Sequence, residues 1–205
     1  MLQLAGRVGQ DALDQICGVL LGGGVVLLPT DTVYGLAVHP TRDDAVARLF
    51  AMKRRPRGRN LPIMVASVAQ LDELGAVMTD EARRLMEAFL PGPLSVALGL
   101  RPGDAPSWLS GRVEIAIRIP ADEQLLDVLA VAGPLLVTSA NISDEATPPS
   151  VEEILAMLDG RPDAVIDGGS RLGGVPSTLV NCNLPTPVIE RVGAISSDEI
   201  VTVLR

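Results

Sequence analysis

This sequence predicts an α/β fold in which helices pack on a largely buried mixed sheet, and three observations point to it. Apolar strand-length runs alternate with amphipathic helix-length runs along most of the 205 residues. The strand runs are apolar at every position rather than every second one, as strands covered on both faces are. Two consecutive strand runs, 95–100 and 113–119, have no helix between them, so part of the sheet pairs antiparallel.

Residues 10–21 place Leu13, Ile16, Cys17, Leu20 and Leu21 at helical spacing, and Gly22, Gly23 and Gly24 stop that helix. VVLLP (25–29) follows as a buried strand. A second helix over 43–52 carries Ala45, Val46, Leu49 and Phe50 on one face, and LPIMVA (61–66) is the next strand. A helix over 80–90 ends at Pro91, Gly92 and Pro93. Strands at 95–100, 113–119, 134–139, 164–166 and 177–182 then share the chain with helices at 122–131, 151–158 and 197–204. Ser67 with Gln70, Ser150 with Glu153, and Ser196 with Glu199 have capping-box spacing. No repeat, low-complexity tract or long linker divides the sequence, so residues 1–205 read as one domain.

Composition narrows the function. Apolar residues reach 47% and charged residues 20%, enough for a sizeable core. Only Tyr34, Phe50, Phe89 and Trp108 are aromatic, too few for the stacking platforms that read single-stranded nucleic acid. The net charge of −8 argues against a surface given over to nucleic acid or lipid. Cys17 and Cys182 lack metal-ligand spacing and read as buried thiols in a reducing compartment. The start of the chain has no cationic stretch leading into an apolar run, and nowhere are there about 18 consecutive apolar residues. A soluble, cytoplasmic protein is expected.

The basic residues are unevenly distributed. Lys53 is the only lysine, and five of the 17 cationic residues fall in KRRPRGR (53–59). Such a cluster on an acidic chain reads as a local anion site, with a solvated basic loop as the plainer alternative. The only histidine and tyrosine lie together in PTDTVYGLAVHP (29–40), just after a strand. Thr30, Asp31 and Thr32 could bind a small polar ligand there or cap a following helix. PLLVTSAN (134–141) ends a strand in small polar residues, and GGVPSTLV (173–180) opens one with Ser177 and Thr178. Arg118 sits inside an apolar strand and needs an anionic partner if buried, supplied by a protein carboxylate or by a substrate. There is no Walker-type or Rossmann-type glycine loop, and one histidine cannot build a His-rich metal site.

PTDTVYGL, KRRP, PGPLSVAL, AIRIP, TSANIS, GGVPSTLV and ERVGAIS, in this order, resemble the YrdC/Sua5 family of threonylcarbamoyl-AMP synthases from about residue 20 to 195. The resemblance implies a twisted open mixed sheet with a concave cleft, in a single YrdC-like domain of the short bacterial type. It implies an enzyme, a nucleotidyltransferase that makes threonylcarbamoyl-AMP and pyrophosphate from L-threonine, bicarbonate and ATP, with Mg²⁺ assisting. The product would go to threonylcarbamoyl transferase proteins that modify adenosine 37 of tRNA. Carried over by motif, Lys53 and Arg55 are the catalytic pair on the triphosphate. Asn60, Ser139, Asn141, Thr147 and Arg191 complete the ATP site, and Thr32, Arg118 and Ser177 hold threonine. No resident metal site is implied.

The sequence departs from the family pattern by an extra residue before Asn60, by Ala66 where many relatives have histidine, and by Asp144 where glycine is usual. Two other functions remain open at this level: an RNA-binding module of this fold, and a paralogue that activates a different small carboxylate or carbamate.

Overall fold

In the computed structural model, which describes residues 2–5, 9–171 and 174–205, ten strands form one mixed sheet. In chain order they are β1 (Leu2–Ala5), β2 (Val26–Leu28), β3 (Gly35–Val38), β4 (Ile63–Met64), β5 (Leu94–Gly99), β6 (Glu114–Arg118), β7 (Leu135–Ser139), β8 (Ala164–Asp167), β9 (Thr178–Asn181) and β10 (Val188–Arg191). The helices are α1 (Gln10–Leu21), α2 (Asp43–Met52), α3 (Ala69–Glu73), α4 (Asp80–Phe89), α5 (Glu123–Ala132), α6 (Val151–Met157) and α7 (Ser197–Leu204). The sheet order is β1-β8-β2-β3-β7-β4-β6-β5-β9-β10. The pairs β1–β8, β2–β8, β4–β6 and β5–β9 are parallel, and the other five are antiparallel, including the expected β5–β6 pair.

Two cores explain why the strands are apolar throughout. Along β2 and the residue before it, Val25 and Leu27 enter one core while Val26 and Leu28 enter the other, as side chains alternate across a strand. The first core packs Leu49 of α2, Leu85 of α4, Ile154 of α6 and Ile200 of α7 against the sheet. The second packs Leu13, Ile16 and Leu20 of α1 beside Leu125, Val128 and Leu129 of α5. The stripe read from residues 10–21 is the buried face of α1, apart from Leu21, which is exposed.

Caps mark several boundaries. Ser196 and Glu199 form the reciprocal capping box, and Ser150 accepts from the Glu153 amide. At Ser67 the expected box gives way to another arrangement: Gln70 Oε1 accepts from the Ala66 amide at 2.7 Å, and the N-cap of α3 is Val68, which makes no side-chain cap bond. No helix follows Thr30 and Asp31; β3 does, so they do not cap a helix. Among the described residues no helix is long and apolar enough to cross a membrane, and Cys17 and Cys182 are free and buried.

Candidate functional site

A cavity of about 170 Å³ crosses the middle of the sheet. Its lining draws on Thr32, on Gly35 of β3, Met64 of β4, Ser95 of β5, Arg118 of β6, Thr138 and Ser139 of β7, and Arg191 of β10, with Arg55 and Ser177 at its rim. Mid-strand residues are among them, so the site spans the sheet instead of sitting only beyond strand ends. A neighbouring cavity of about 460 Å³ is lined by Asp31, Thr32, Ser170 and Arg171, so Thr32 lines both.

Of the ten residues singled out by sequence, six line the central cavity: Thr32, Arg55, Arg118, Ser139, Ser177 and Arg191. Lys53, Asn60, Asn141 and Thr147 are not part of its lining; Lys53 and Asn141 are buried and Asn60 is exposed. Lys53 is 1% exposed. Its ammonium donates to the carbonyl of Ser139, to that of Asn141 at 2.6 Å, and to Asn141 Oδ1 at 3.4 Å. Burial, and then the charge of Arg55, lower its pKa to about 8. Lys53 therefore ties the basic segment to the end of β7, and the Ser143 amide reinforces the tie by donating to the Lys53 carbonyl at 2.9 Å.

The loop after β7 is shaped by Asn141. Its amide donates to the carbonyls of Ile142 and Glu145 at 2.8 and 2.7 Å, and Thr147 donates to its Oδ1 at 3.3 Å. Asp144 adopts φ 68°, a left-handed conformation that glycine takes freely and aspartate tolerates better than most residues. That accounts for the glycine usual here, and the aspartate adds a contact: Arg59 reaches its carboxylate at 2.8 Å. Among the described residues Arg55 bonds only carbonyls, those of Arg59 at 3.4 Å and Asn60 at 3.0 Å.

On the other side of the cavity Arg118 is bonded through each of its three nitrogens, with one N–H on each Nη left over. Nε donates to the Gly92 carbonyl at 3.0 Å, Nη1 to Thr32 Oγ1 at 2.9 Å and Nη2 to Asp31 Oδ1 at 2.5 Å. The anionic partner expected for a buried arginine is thus a protein carboxylate. Thr30 holds the turn, accepting from the Thr32 amide and donating to the Val33 carbonyl. Ser177 shares a 2.8 Å hydrogen bond with Ser95 and accepts from Arg191 at 3.1 Å. Partial burial, and then the charge of Arg118, pull Arg191 below its ordinary pKa; burial, then Arg59, do the same to Arg55. Among the described residues neither Arg55 nor Arg191 has a carboxylate within ion-pair distance.

Sequence reasoning missed the residues that hold this frame. The Tyr34 hydroxyl, buried in the core, donates to the Gly169 carbonyl at 2.8 Å and accepts from the Gly168 amide at 2.9 Å. It anchors the segment that carries Ser170 and Arg171. Thr178 Oγ1 accepts from the amides of Gly193 and Ile195 and donates to the Ile195 carbonyl, pinning the segment after Arg191 to the start of β9. Gly193 packs so tightly there that an added Cβ would lie 2.2 Å from the Pro176 carbonyl oxygen. A tyrosine amid apolar residues and a Ser-Thr doublet opening a strand were the only local signals. Gly173 of the glycine-rich turn lies outside the described residues. His39 bonds Thr41 in an exposed turn and does not line the cavity, and Ala66 does not line it either.

A family model named Sua5_yciO_yrdC, described as telomere recombination, matches residues 18–193. The chain is 34% identical over 192 residues to the threonylcarbamoyl-AMP synthase of Bacillus subtilis (strain 168), covering 93% of this chain and 56% of that protein. It superposes on P. abyssi Sua5 complexed with L-threonine with a TM-score of 0.88 and 32% identity, over 99% of this chain and 60% of that one. E. coli YciO superposes with a TM-score of 0.84 and 26% identity, covering 97% and 98% of the two chains. The chain therefore spans little more than half the length of the Bacillus and P. abyssi proteins.

Proposed function

The chain belongs to the Sua5/YciO/YrdC family, and from that premise we propose that it is a threonylcarbamoyl-AMP synthase acting on L-threonine, bicarbonate and ATP. The observation that carries this reading is the pair of guanidinium groups, Arg55 and Arg191, that face one cavity without carboxylate partners among the described residues. An uncompensated cation pair beside hydroxyls and a rigid loop is what a triphosphate requires.

The threonine amine and bicarbonate form a carbamate with loss of water, and a carbamate oxygen attacks the α-phosphorus of ATP. The new O–P bond forms as the bond to the β-phosphate oxygen breaks, and pyrophosphate leaves. Positioning and charge neutralisation supply most of the catalysis in such a transfer. Arg55 and Arg191 would neutralise the phosphates, Arg191 also serving the threonine carboxylate through its place beside Ser177, and Ser139 would offer its hydroxyl at the cavity wall. Lys53 acts through the carbonyls it holds, which set the position of Ser139 and the loop shaped by Asn141 and Thr147. Asn60 contributes by holding Arg55 through its carbonyl. Thr32, Arg118 and Ser177 would hold threonine.

Among the described residues no group of three or more His, Cys, Asp or Glu side chains is arranged to hold a metal ion. The fit is therefore to Mg²⁺ that arrives on the nucleotide and keeps phosphate oxygens and water as its ligands. Bound so, it would offset charge on the departing pyrophosphate. Residues 1–205 are read as one YrdC-like domain, cytoplasmic, passing its labile product to threonylcarbamoyl transferase proteins for tRNA modification.

Pyrophosphate release, measured with ATP, threonine and bicarbonate together and with each omitted in turn, tests this. Release that depends on all three is expected. Release indifferent to threonine overturns the reading.

A further inference from the structure

The ion pair between Arg118 and Asp31 is asymmetric. Their side chains are 4% and 13% exposed, so both charges are withdrawn from water. Arg118 Nη2 meets Oδ1 at 2.5 Å, while Nη1 turns to Thr32. Asp31 Oδ2 is buried and has no hydrogen-bond partner. A carboxylate that served only to neutralise arginine would take the two-pronged geometry, with both oxygens bonded. Leaving one carboxylate oxygen buried and idle is unfavourable, and the site tolerates it where a bound group completes the set.

The surroundings indicate which group. Asp31 lines the larger cavity and Arg118 the central one, with Thr32 between them. The charges of Arg118 and Asp31 cancel, while Arg191, close enough to be disturbed by Arg118, has no carboxylate of its own among the described residues. Among the described residues this end of the site therefore holds a cation bonded to neutral oxygens of Ser177 but to no carboxylate, and a buried carboxylate oxygen with no donor. Arg171, the other charged group lining the larger cavity, faces Asp122 at 3.8 Å and leaves Asp31 unserved. A simple anion would satisfy the cation alone. A zwitterion satisfies both.

We propose that Asp31 is the specificity-determining residue that reads the amine of the substrate. Its idle oxygen accepts from the α-ammonium of an amino acid whose carboxylate lies with Arg118 and Arg191. This inference rests on the reading of the site as a threonine site. It adds the residue that separates an amino acid from a hydroxy acid of the same shape.

Calorimetric titration of the full chain with ATP present tests it, using L-threonine and 3-hydroxybutanoate, which lacks the amine. The unsubstituted chain is expected to bind threonine and reject the hydroxy acid. Asp31→Asn should weaken threonine by roughly 10–100-fold, the value of one hydrogen bond to a charged group. It should also bring the two ligands to similar affinity, with ATP binding retained. Asp31→Glu keeps the charge on Arg118 but displaces the oxygen. It should weaken threonine by about 10-fold while still rejecting the hydroxy acid, and it decides the matter if the asparagine variant does not fold. An unchanged preference for threonine in Asp31→Asn, or unchanged threonine affinity in Asp31→Glu, overturns the proposal. If the unsubstituted chain binds ATP but not threonine, the threonine reading falls. The amine reading is then decided by the same comparison of other amino acids with their des-amino analogues.

Discussion

Lys53 and Arg118 are both buried cations beside one cavity, and they are held in opposite ways. Arg118 is matched by a carboxylate, so its end of the site is neutral before any ligand arrives. Lys53 is held by neutral oxygens, the carbonyls of Ser139 and Asn141, so its positive charge remains uncancelled, with Arg55 beside it. Carbonyl dipoles can stabilise an ammonium without neutralising it, whereas an ion pair removes the charge. The contrast divides the cavity into an end suited to a polyanion and an end suited to a zwitterion.

The largest stability effect should follow from breaking the matched pair. Arg118→Met leaves Asp31 buried without a counter-charge and should cost about 3–5 kcal/mol. The midpoint of thermal unfolding should fall by ~10 °C. A loss below 1 kcal/mol would mean that the pair is solvated and the contrast is false.

Lys53→Met tests the other end and should separate stability from function. It leaves the two carbonyls without their donor, at ~1–3 kcal/mol, but also removes a buried charge, so the fold should suffer less than in Arg118→Met. Turnover should fall roughly 10²–10³-fold, as for the loss of one preorganised group. The pH dependence sharpens this. With a folded pKa of about 8 against an ordinary 10.5, the unfolded chain holds a proton that the folded chain has lost between those values. Stability contributed by this residue therefore rises with pH across that window. The difference between unsubstituted chain and Lys53→Met in denaturant unfolding should climb from pH 8 to 10.5, and a flat difference would contradict the assignment.

The smallest effect should be at the mouth of the site. Arg59 and Asp144 are 55% and 72% exposed, and their 2.8 Å contact is open to water and salt. Arg59→Ala should cost less than ~1 kcal/mol, and the loss should vanish at high salt. Urea unfolding at low and high ionic strength is the check.

Much of the fold could be read from periodicity because two covered faces leave apolar runs in the strands and clear stripes on the helices. The elements that escaped are those with weak patterns. β1 and β10 are four-residue edges, and β10 is largely exposed, so burial writes little into the sequence of β10. β3 follows β2 after only six residues, and its four residues lie within the 29–40 segment, where no strand-length apolar run stands apart. β4 keeps two residues of the six expected, because Pro62 lacks an amide to donate and offers only its carbonyl, which Val137 uses. In the site, residue types announced themselves but partners did not. Lys53 finds its acceptors 86 and 88 positions along the chain, and Arg118 finds Asp31 across 87. The sequence offered Asp31 as a ligand-binding residue after a strand or as a helix cap, and nothing local marks it as the counter-charge of a strand arginine.

The division of the cavity is tested most directly by titrating ATP and threonine separately into the Arg55→Ala chain. The account predicts that ATP affinity falls by about 10²-fold, the value of a charge-assisted contact to phosphate, while threonine affinity stays within about threefold. ATP bound as tightly as by the unsubstituted chain, or threonine lost in step with ATP, would contradict it.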